Sequence, residues 1–259
     1  PLEGAVKRRG MALLEVVARA RRPLGVTELA AQLGIAKSHA HRLLQGLVEL
    51  KYVQHDPTTR GYAASVRLWE LGSSVLEGLD LRRIAQPWME GLLEETRETV
   101  HLSVLDGAEV VYVHKIESNE PVRAYSQIGG RAPAHCVATG KALLAWLGPS
   151  RLKELAANIE RYTPHTIVEE AAFVREMERV RKLGYAVNRG EWRESVAGIG
   201  APIRDIQGQV IAAVGISGPI GRLKPSMFKA LAGHVVAAAQ GISVGLGANP
   251  LANQQFWSA

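Results

Sequence analysis

The chain holds a single cysteine, Cys136, in 259 residues. One thiol excludes an internal disulfide and any Cys-rich zinc module, and a reducing cytoplasm is the simplest home. No window reaches eighteen uninterrupted apolar residues, which on sequence grounds excludes a transmembrane helix. The start, Pro1-Leu2-Glu3-Gly4-Ala5-Val6-Lys7-Arg8-Arg9, lacks the apolar core of a secretory signal. It also lacks an initiator Met and reads as trimmed. There is no internal repeat and no low-complexity tract. Paired carboxylates at useful spacing, a Gly-x-Ser-x-Gly elbow and a phosphate loop are missing too, which argues against hydrolytic and nucleotide chemistry.

What is present is a globular composition, 47% hydrophobic and 22% charged, enough for one large domain or two smaller ones. The formal net charge is +6. It is unevenly placed: residues 1–70 hold 11 basic and 6 acidic side chains, a net of +5, and residues 71–259 hold 20 and 19, a net of +1. A basic head on a nearly neutral body points to a polyanionic partner for the head, nucleic acid before membrane.

The first 60 residues read as three short helices and a hairpin. Met11, Leu14, Val17 and Ala18 share one helical face. Arg21-Arg22-Pro23-Leu24-Gly25 breaks that helix, and Thr27 is placed to cap the next, which carries Leu29, Ala30 and Leu33 and ends at Gly34. A third helix runs from Lys37 or Ser38 to Leu50. Its buried stripe is Ala40, Leu43, Leu44 and Leu47. Ser38, Arg42, Gln45 and Glu49 point the other way, flanked by His39 and His41. Tyr52 to His55, a turn with Pro57 and Gly61, and Tyr62 to Ala64 read as a β-hairpin. This order is the plan of a winged helix-turn-helix. The bland alternative is a three-helix bundle with a solvated face. It accounts less well for base-reading side chains on a basic head.

Ser65 to Leu79 reads as a helix too apolar to stand alone, a linker helix at a dimer seam. From Leu81 the pattern is mixed. One helix spans Leu81 to Thr96 with Ile84, Trp88, Leu92 and Leu93 inward. Strands follow at 99–105 and 109–116, helices at 138–146, 151–157 and 169–183, strands at 185–187, 198–203 and 209–217, and a last helix opens at Pro225-Ser226. Without βαβ regularity this is an α+β domain, an antiparallel sheet flanked by helices.

The motif order resembles the IclR family of bacterial transcription regulators. The head carries Leu29-Ala30-Ala31-Gln32-Leu33-Gly34-Ile35-Ala36-Lys37-Ser38, His41-Arg42-Leu43-Leu44, Tyr52-Val53, Asp56-Pro57 and Leu68-Trp69-Glu70-Leu71-Gly72. The body carries Ala132-Pro133-Ala134-His135 and Ala138-Thr139-Gly140-Lys141-Ala142-Leu143-Leu144-Ala145. It also carries Gly184-Tyr185-Ala186-Val187, Glu191, Ala201-Pro202-Ile203 and Ile216-Ser217-Gly218-Pro219. The resemblance spans about residues 8–247. It implies a winged helix-turn-helix at 1–64, a linker helix at 65–81, a GAF-like effector-binding domain at 82–250 and a tail at 251–259. It further implies a homodimer or dimer of dimers on palindromic double-stranded operator DNA, repression of an adjacent catabolic operon, and a small organic or aromatic acid as effector.

For the head, Lys37, Ser38, His39, His41, Arg42 and Gln45 are the expected base or phosphate contacts, with Arg60 on the wing and Lys7, Arg8 and Arg9 as a disordered arm. Arg42 either grips guanine O6 and N7 or meets phosphate alone. For the body, the resemblance puts Val137, Ala138, Asn188, Gly198, Gly215 and Ser217 at the effector. Asn188, Gly198 and Gly215 depart from the family's usual residues there, so the effector is one that does without those polar groups. The glycines would bring ligand close to backbone N–H groups, and Arg131 either pairs an acid or is a surface residue. No cofactor, no membrane partner and no metal are expected, although His101, His114 and His135 would form a metal site if the sheet gathered them. Gly241-Ile242-Ser243-Val244-Gly245 has membrane-dimer spacing on a helix read as too polar to span. The rival readings are a hydrolase using Cys136 and His135, and an architectural DNA binder without a ligand.

Overall fold

The computed structural model describes residues 2–20, 22–77, 81–124 and 126–248, with the side chains of 2–5, 7 and 72–77 left aside. The tail expected at 251–259 and Leu79 of the linker lie outside the described residues. The chain divides into two compact units, residues 1–79 and 80–259.

In the first unit, α1 (Leu2–Arg19), α2 (Val26–Leu33) and α3 (Lys37–Glu49) precede a hairpin of β1 (Val53–Asp56) and β2 (Gly61–Ala64), and α4 (Val66–Glu77) follows. Lys7, Arg8 and Arg9 lie inside α1, so they are not a disordered arm. The α1 stripe is shifted from the expected one. Leu13, Leu14 and Val17 are buried, while Met11 and Ala18 face solvent. Leu13 belongs to a core shared with Leu29, Ala40, Leu44, Val53 and Tyr62. The cap of α2 is Gly25, not Thr27, which sits inside the helix. Gly34 closes α2 at φ 60, a left-handed corner that a side chain would strain.

The hairpin turn is built differently from the expected Pro-Gly pair. Asp56 accepts hydrogen bonds from Thr58 N and Thr59 Oγ1, both at 2.8 Å, and Arg60, not glycine, takes the left-handed conformation at φ 52. Gly61 is needed for packing: a Cβ there would lie 2.6 Å from Pro23 Cβ. Backbone bonds between Leu24 and Tyr62 tie the α1–α2 connection to the same strand. We therefore expect Gly61→Ala to cost the first unit about 1–3 kcal/mol by overpacking. An unchanged unfolding midpoint in calorimetry would contradict it.

The second unit begins with α5 (Leu81–Thr96), β3 (Thr99–Asp106) and β4 (Glu109–Ile116). A three-residue strand β5 (Arg131–Pro133), not foreseen from sequence, leads through a 3₁₀ turn at Ala134–Cys136 into α6 (Ala138–Leu144). Then come α7 (Pro149–Ala156), α8 (Glu170–Leu183), β6 (Ala186–Arg189), β7 (Val196–Arg204), β8 (Val210–Pro219) and α9 (Phe228–Gly245). The strands form one antiparallel sheet in the order β5-β4-β3-β8-β7-β6. The α+β expectation agrees with this architecture.

Helices cover both faces of the sheet. On one face α6 lies close: Ser103 Oγ on β3 donates to Thr139 Oγ1 at 3.1 Å. On the other lie α5 and α9, with His114 of β4 bonded to Gln86 of α5. The inward residues of α5 are Leu81, Ala85, Met89 and Leu92. Trp88 is 44% exposed, lying flat over Gly241 of α9 where a Cβ would collide with the indole. That close helix pairing is what the spaced glycines of α9 provide. The expectation that α9 is too polar to span is corrected. Pro225–Gly245 is 21 residues with a window of mean hydropathy 1.2, enough by length and composition. Its packing is that of a core helix, with Val235, Ala239 and Ile242 fully buried and Ser243 Oγ donating to Ala239 O and accepting from Arg204 N.

Candidate functional site

In the first unit, the short turn Gly34-Ile35-Ala36 aims α3 so that Ala40 and Leu44 enter the core. The opposite face then carries Lys37, Ser38, His41, Arg42 and Gln45, all exposed. Lys37, Ser38, His41 and Arg42 line a shallow groove with Val26. His39 departs from its expected place. It is half-buried, its Nε2 is buried without a partner, and its Nδ1 lies 3.5 Å from Arg42 Nη2. Its ring thus rests against the Arg42 guanidinium. Arg60 is exposed at the hairpin tip. The face offers cations and neutral donors and carries no carboxylate before Glu49, which suits a phosphate backbone and base edges.

In the second unit, a cavity of about 50 Å³ opens between α6 and the sheet. Val137, Ala138, Asn188, Gly198, Gly215 and Ser217, drawn from the start of α6 and from β6, β7 and β8, all line it. Sequence reading missed His101, Tyr112, Ser126, Thr139, Trp192 and Arg193, which line it as well. For His101 and Tyr112 a signal existed, since both sit on alternating strands that point every second residue inward.

His101 stands between two hydroxyls, with Ser126 Oγ 2.5 Å from Nε2 and Ser217 Oγ 3.3 Å from Nδ1. Burial, helped by the charge of Lys115, pushes its pKa down to about 3, so the ring is neutral near pH 7. Burial likewise pushes the Tyr112 phenol up to about 12. The glycines serve packing more than ligand approach. A Cβ on Gly198 would meet Ile216 O at 2.7 Å, and one on Gly200 would meet Ala138 C and Thr139 N at 2.7 Å. They let the start of α6 rest on the sheet.

Behind the cavity lies a buried ion cluster. Lys141 Nζ donates to Glu191 Oε1 at 2.8 Å and to Glu176 Oε1 at 3.1 Å, and the Lys141 side chain is 1% exposed. Glu191 N donates in turn to Asn188 Oδ1 at 3.0 Å. The cluster pins the β6–β7 connection, and with it Trp192 and Arg193, to α6.

Other expected groups do not come together. His101 and His114 occupy opposite faces of the sheet, since His114 pairs with Leu102 in register and bonds α5. His135 accompanies Glu160 O at 3.0 Å. Among the described residues no three His, Cys, Asp or Glu gather for a metal ion. Cys136 is fully buried, burial pushes its thiol up to about 12, and it does not line the cavity. A thiol so held is a poor nucleophile. Arg131 is engaged away from the cavity, with Glu109 at 2.6 Å and Asp106 at 2.5 Å.

Comparison with known proteins bears on both surfaces. Residues 8–57 match the IclR helix-turn-helix domain and residues 73–244 match the bacterial transcriptional regulator IclR C-terminal domain. The HTH-type transcriptional regulator KdgR of Dickeya chrysanthemi is 39% identical over 200 residues, 76% of this chain and 66% of that one. KdgR of Escherichia coli is 36% identical over 228 residues, 87% of each. An IclR homologue from Microbacterium hydrocarbonoxydans, solved in complex with 4-hydroxybenzoate, superposes with a TM-score of 0.82 at 27% identity, covering 93% of this chain and 98% of that one. These named relatives are regulators and not enzymes, which removes the hydrolase reading. An exposed basic helix-turn-helix face, an α+β body and two adjoining family matches lead to one conclusion: the chain belongs to the IclR family of bacterial transcription regulators.

Proposed function

We propose that this regulator is a repressor of an adjacent catabolic operon, released or engaged by a small organic or aromatic acid bound in the cavity under α6. The observation that carries the reading is the cavity itself. Apolar walls from Val137, Ala138 and Ile216 surround neutral hydrogen-bonding groups on Asn188, Ser217 and His101, the usual make-up of a small-molecule site. The 4-hydroxybenzoate complex of a related protein supports an acid in that role. A cavity also speaks against a purely architectural DNA binder.

In this reading the protein is cytoplasmic and acts as a homodimer or dimer of dimers. Residues 1–64 form the winged DNA-binding head, 65–81 the linker helix and 82–250 the effector domain. Lys37, Ser38, His41, Arg42, Gln45 and Arg60 meet operator DNA, and His39 steadies Arg42. Half-sites about 34–36 Å apart, or a multiple of that, require a fixed spacing of two heads. The acid selects one arrangement of the bodies, and the linker helices pass it to the heads. The test is a gel shift with the DNA upstream of the gene, run with and without a panel of organic acids. A specific shift that an acid alters supports the reading. No shift on any upstream fragment would overturn it.

A further inference from the structure

One lining residue of the cavity stands apart by charge. Among the described lining residues Arg193 alone carries a formal charge, because no carboxylate or lysine is among them and His101 is neutral. Its guanidinium lies 4.6 Å from the Trp192 ring centre, a stacking contact that holds the fork in place. The positive charge reaches inward, since it opposes the burial effect on the Tyr112 hydroxyl. Among the described residues no carboxylate pairs with Arg193. The nearest buried acid in sequence, Glu191, is committed to Lys141.

The segment carrying Arg193 is a built turn. Gly190 N donates to Val196 O and Val196 N to Arg193 O, both at 2.9 Å, and Ile220 N donates to Ser195 O at 2.9 Å. Gly190 takes φ 77, and a Cβ there would meet Glu194 O at 2.9 Å. Deeper in, Asn188 accepts from Glu191 N with its carbonyl, which leaves its amide NH₂ without a partner among the described residues. A neutral donor at depth and a lone exposed cation at the mouth define a polarity for whatever enters.

We propose that Arg193 is the anion clamp of this cavity. The effector is then a carboxylate with a second, uncharged oxygen: the carboxylate lies on the Arg193 fork over Trp192, and the neutral oxygen reaches Asn188 and Ser217. This rests on the reading that the cavity takes the effector, and it adds which residue selects the charge. Arginine suits the task because its planar fork meets a carboxylate with two parallel hydrogen bonds.

Isothermal titration of the full chain with lactate, pyruvate and 4-hydroxybenzoate, each beside its neutral amide, tests the proposal. The wild type is expected to prefer at least one acid to its amide. Arg193→Gln is expected to weaken that acid by roughly tenfold to a hundredfold and leave the amide nearly unchanged, so that the preference collapses. Arg193→Lys keeps the charge without the fork and is expected to fall between. An unchanged thermal midpoint separates lost recognition from lost folding. If Arg193→Gln keeps the full preference for acid over amide, the clamp assignment fails while the cavity reading stands. If the wild type binds none of the acids, the cavity reading fails and takes the clamp with it.

Discussion

Lys141→Met is expected to lower the stability of the second unit by about 3–5 kcal/mol, the usual cost of leaving a buried charge without its partner. Lys141 is the one cation facing both Glu176 and Glu191, whose side chains are only 11% and 7% exposed. Its removal leaves two carboxylates confronting each other across a low-dielectric space. Arg179 Nη1 still holds Glu176 Oε2 at 3.0 Å, but Glu191 keeps only the Arg189 backbone N, 3.4 Å from Oε1, and its Oε2 has no partner among the described residues. The sign of the pH effect follows. Burial already raises the Glu191 pKa above its ordinary 4.5, and losing Lys141 raises it further. A carboxyl whose folded pKa lies above its unfolded one favours folding at low pH. The deficit of the variant is therefore largest near neutrality and shrinks as pH falls toward 4.5. Urea unfolding of both proteins at pH 7 and pH 5 measures it, and a deficit that grows on acidification would contradict the account. Restoring neutrality with Glu191→Gln in the Lys141→Met background is expected to recover part of the loss.

Operator affinity is expected to fall about a thousandfold between 50 and 200 mM salt. This takes two heads, each placing Lys37, Arg42 and Arg60 on one phosphate, so that six contacts release counterions. Replacing Arg42 with Ala is expected to reduce the slope of log affinity against log salt by about one unit per head, and to relax base preference if the guanidinium also reads guanine. Fluorescence anisotropy with a labelled operator gives both quantities. A nearly flat salt dependence would mean that these exposed cations do not carry the binding.

Much of this molecule was legible before the structure. A strong apolar stripe fixes α3, because burying Ala40 and Leu44, with Leu43 and Leu47 packed half-buried beside them, leaves the helix one orientation. The errors have physical causes. Helical spacing places Met11 and Trp88 on the inward faces, yet both are exposed. Smaller neighbours, Leu13 in α1 and Ala85 and Met89 in α5, fit the close helix contacts better, and the large side chains lie across the outside. Strand β5 was invisible because three residues, one of them Pro133, carry no alternating pattern. The lining residues at the start of α6 and on β6, β7 and β8 are legible through the family resemblance. The lining residues outside those segments are not, Arg193 least of all, since an arginine in a Gly-Glu-Trp-Arg-Glu-Ser turn reads as a solvated loop charge. The Lys141 cluster is equally hidden, because Glu176 and Glu191 lie 35 and 50 residues away and meet it only in the tertiary fold, Glu176 from α8 and Glu191 from the β6–β7 connection.

In the proposed function, binding in the cavity under α6 and binding of DNA by α3 are coupled in one chain. The direct measurement is operator affinity of the full-length protein at fixed salt, with and without a saturating acid whose binding has been established calorimetrically. A change of about 5–150-fold is expected, the range of a 1–3 kcal/mol coupling, with the same factor in the affinity for the acid when operator is present. An acid that binds the cavity while leaving operator affinity unchanged would contradict it.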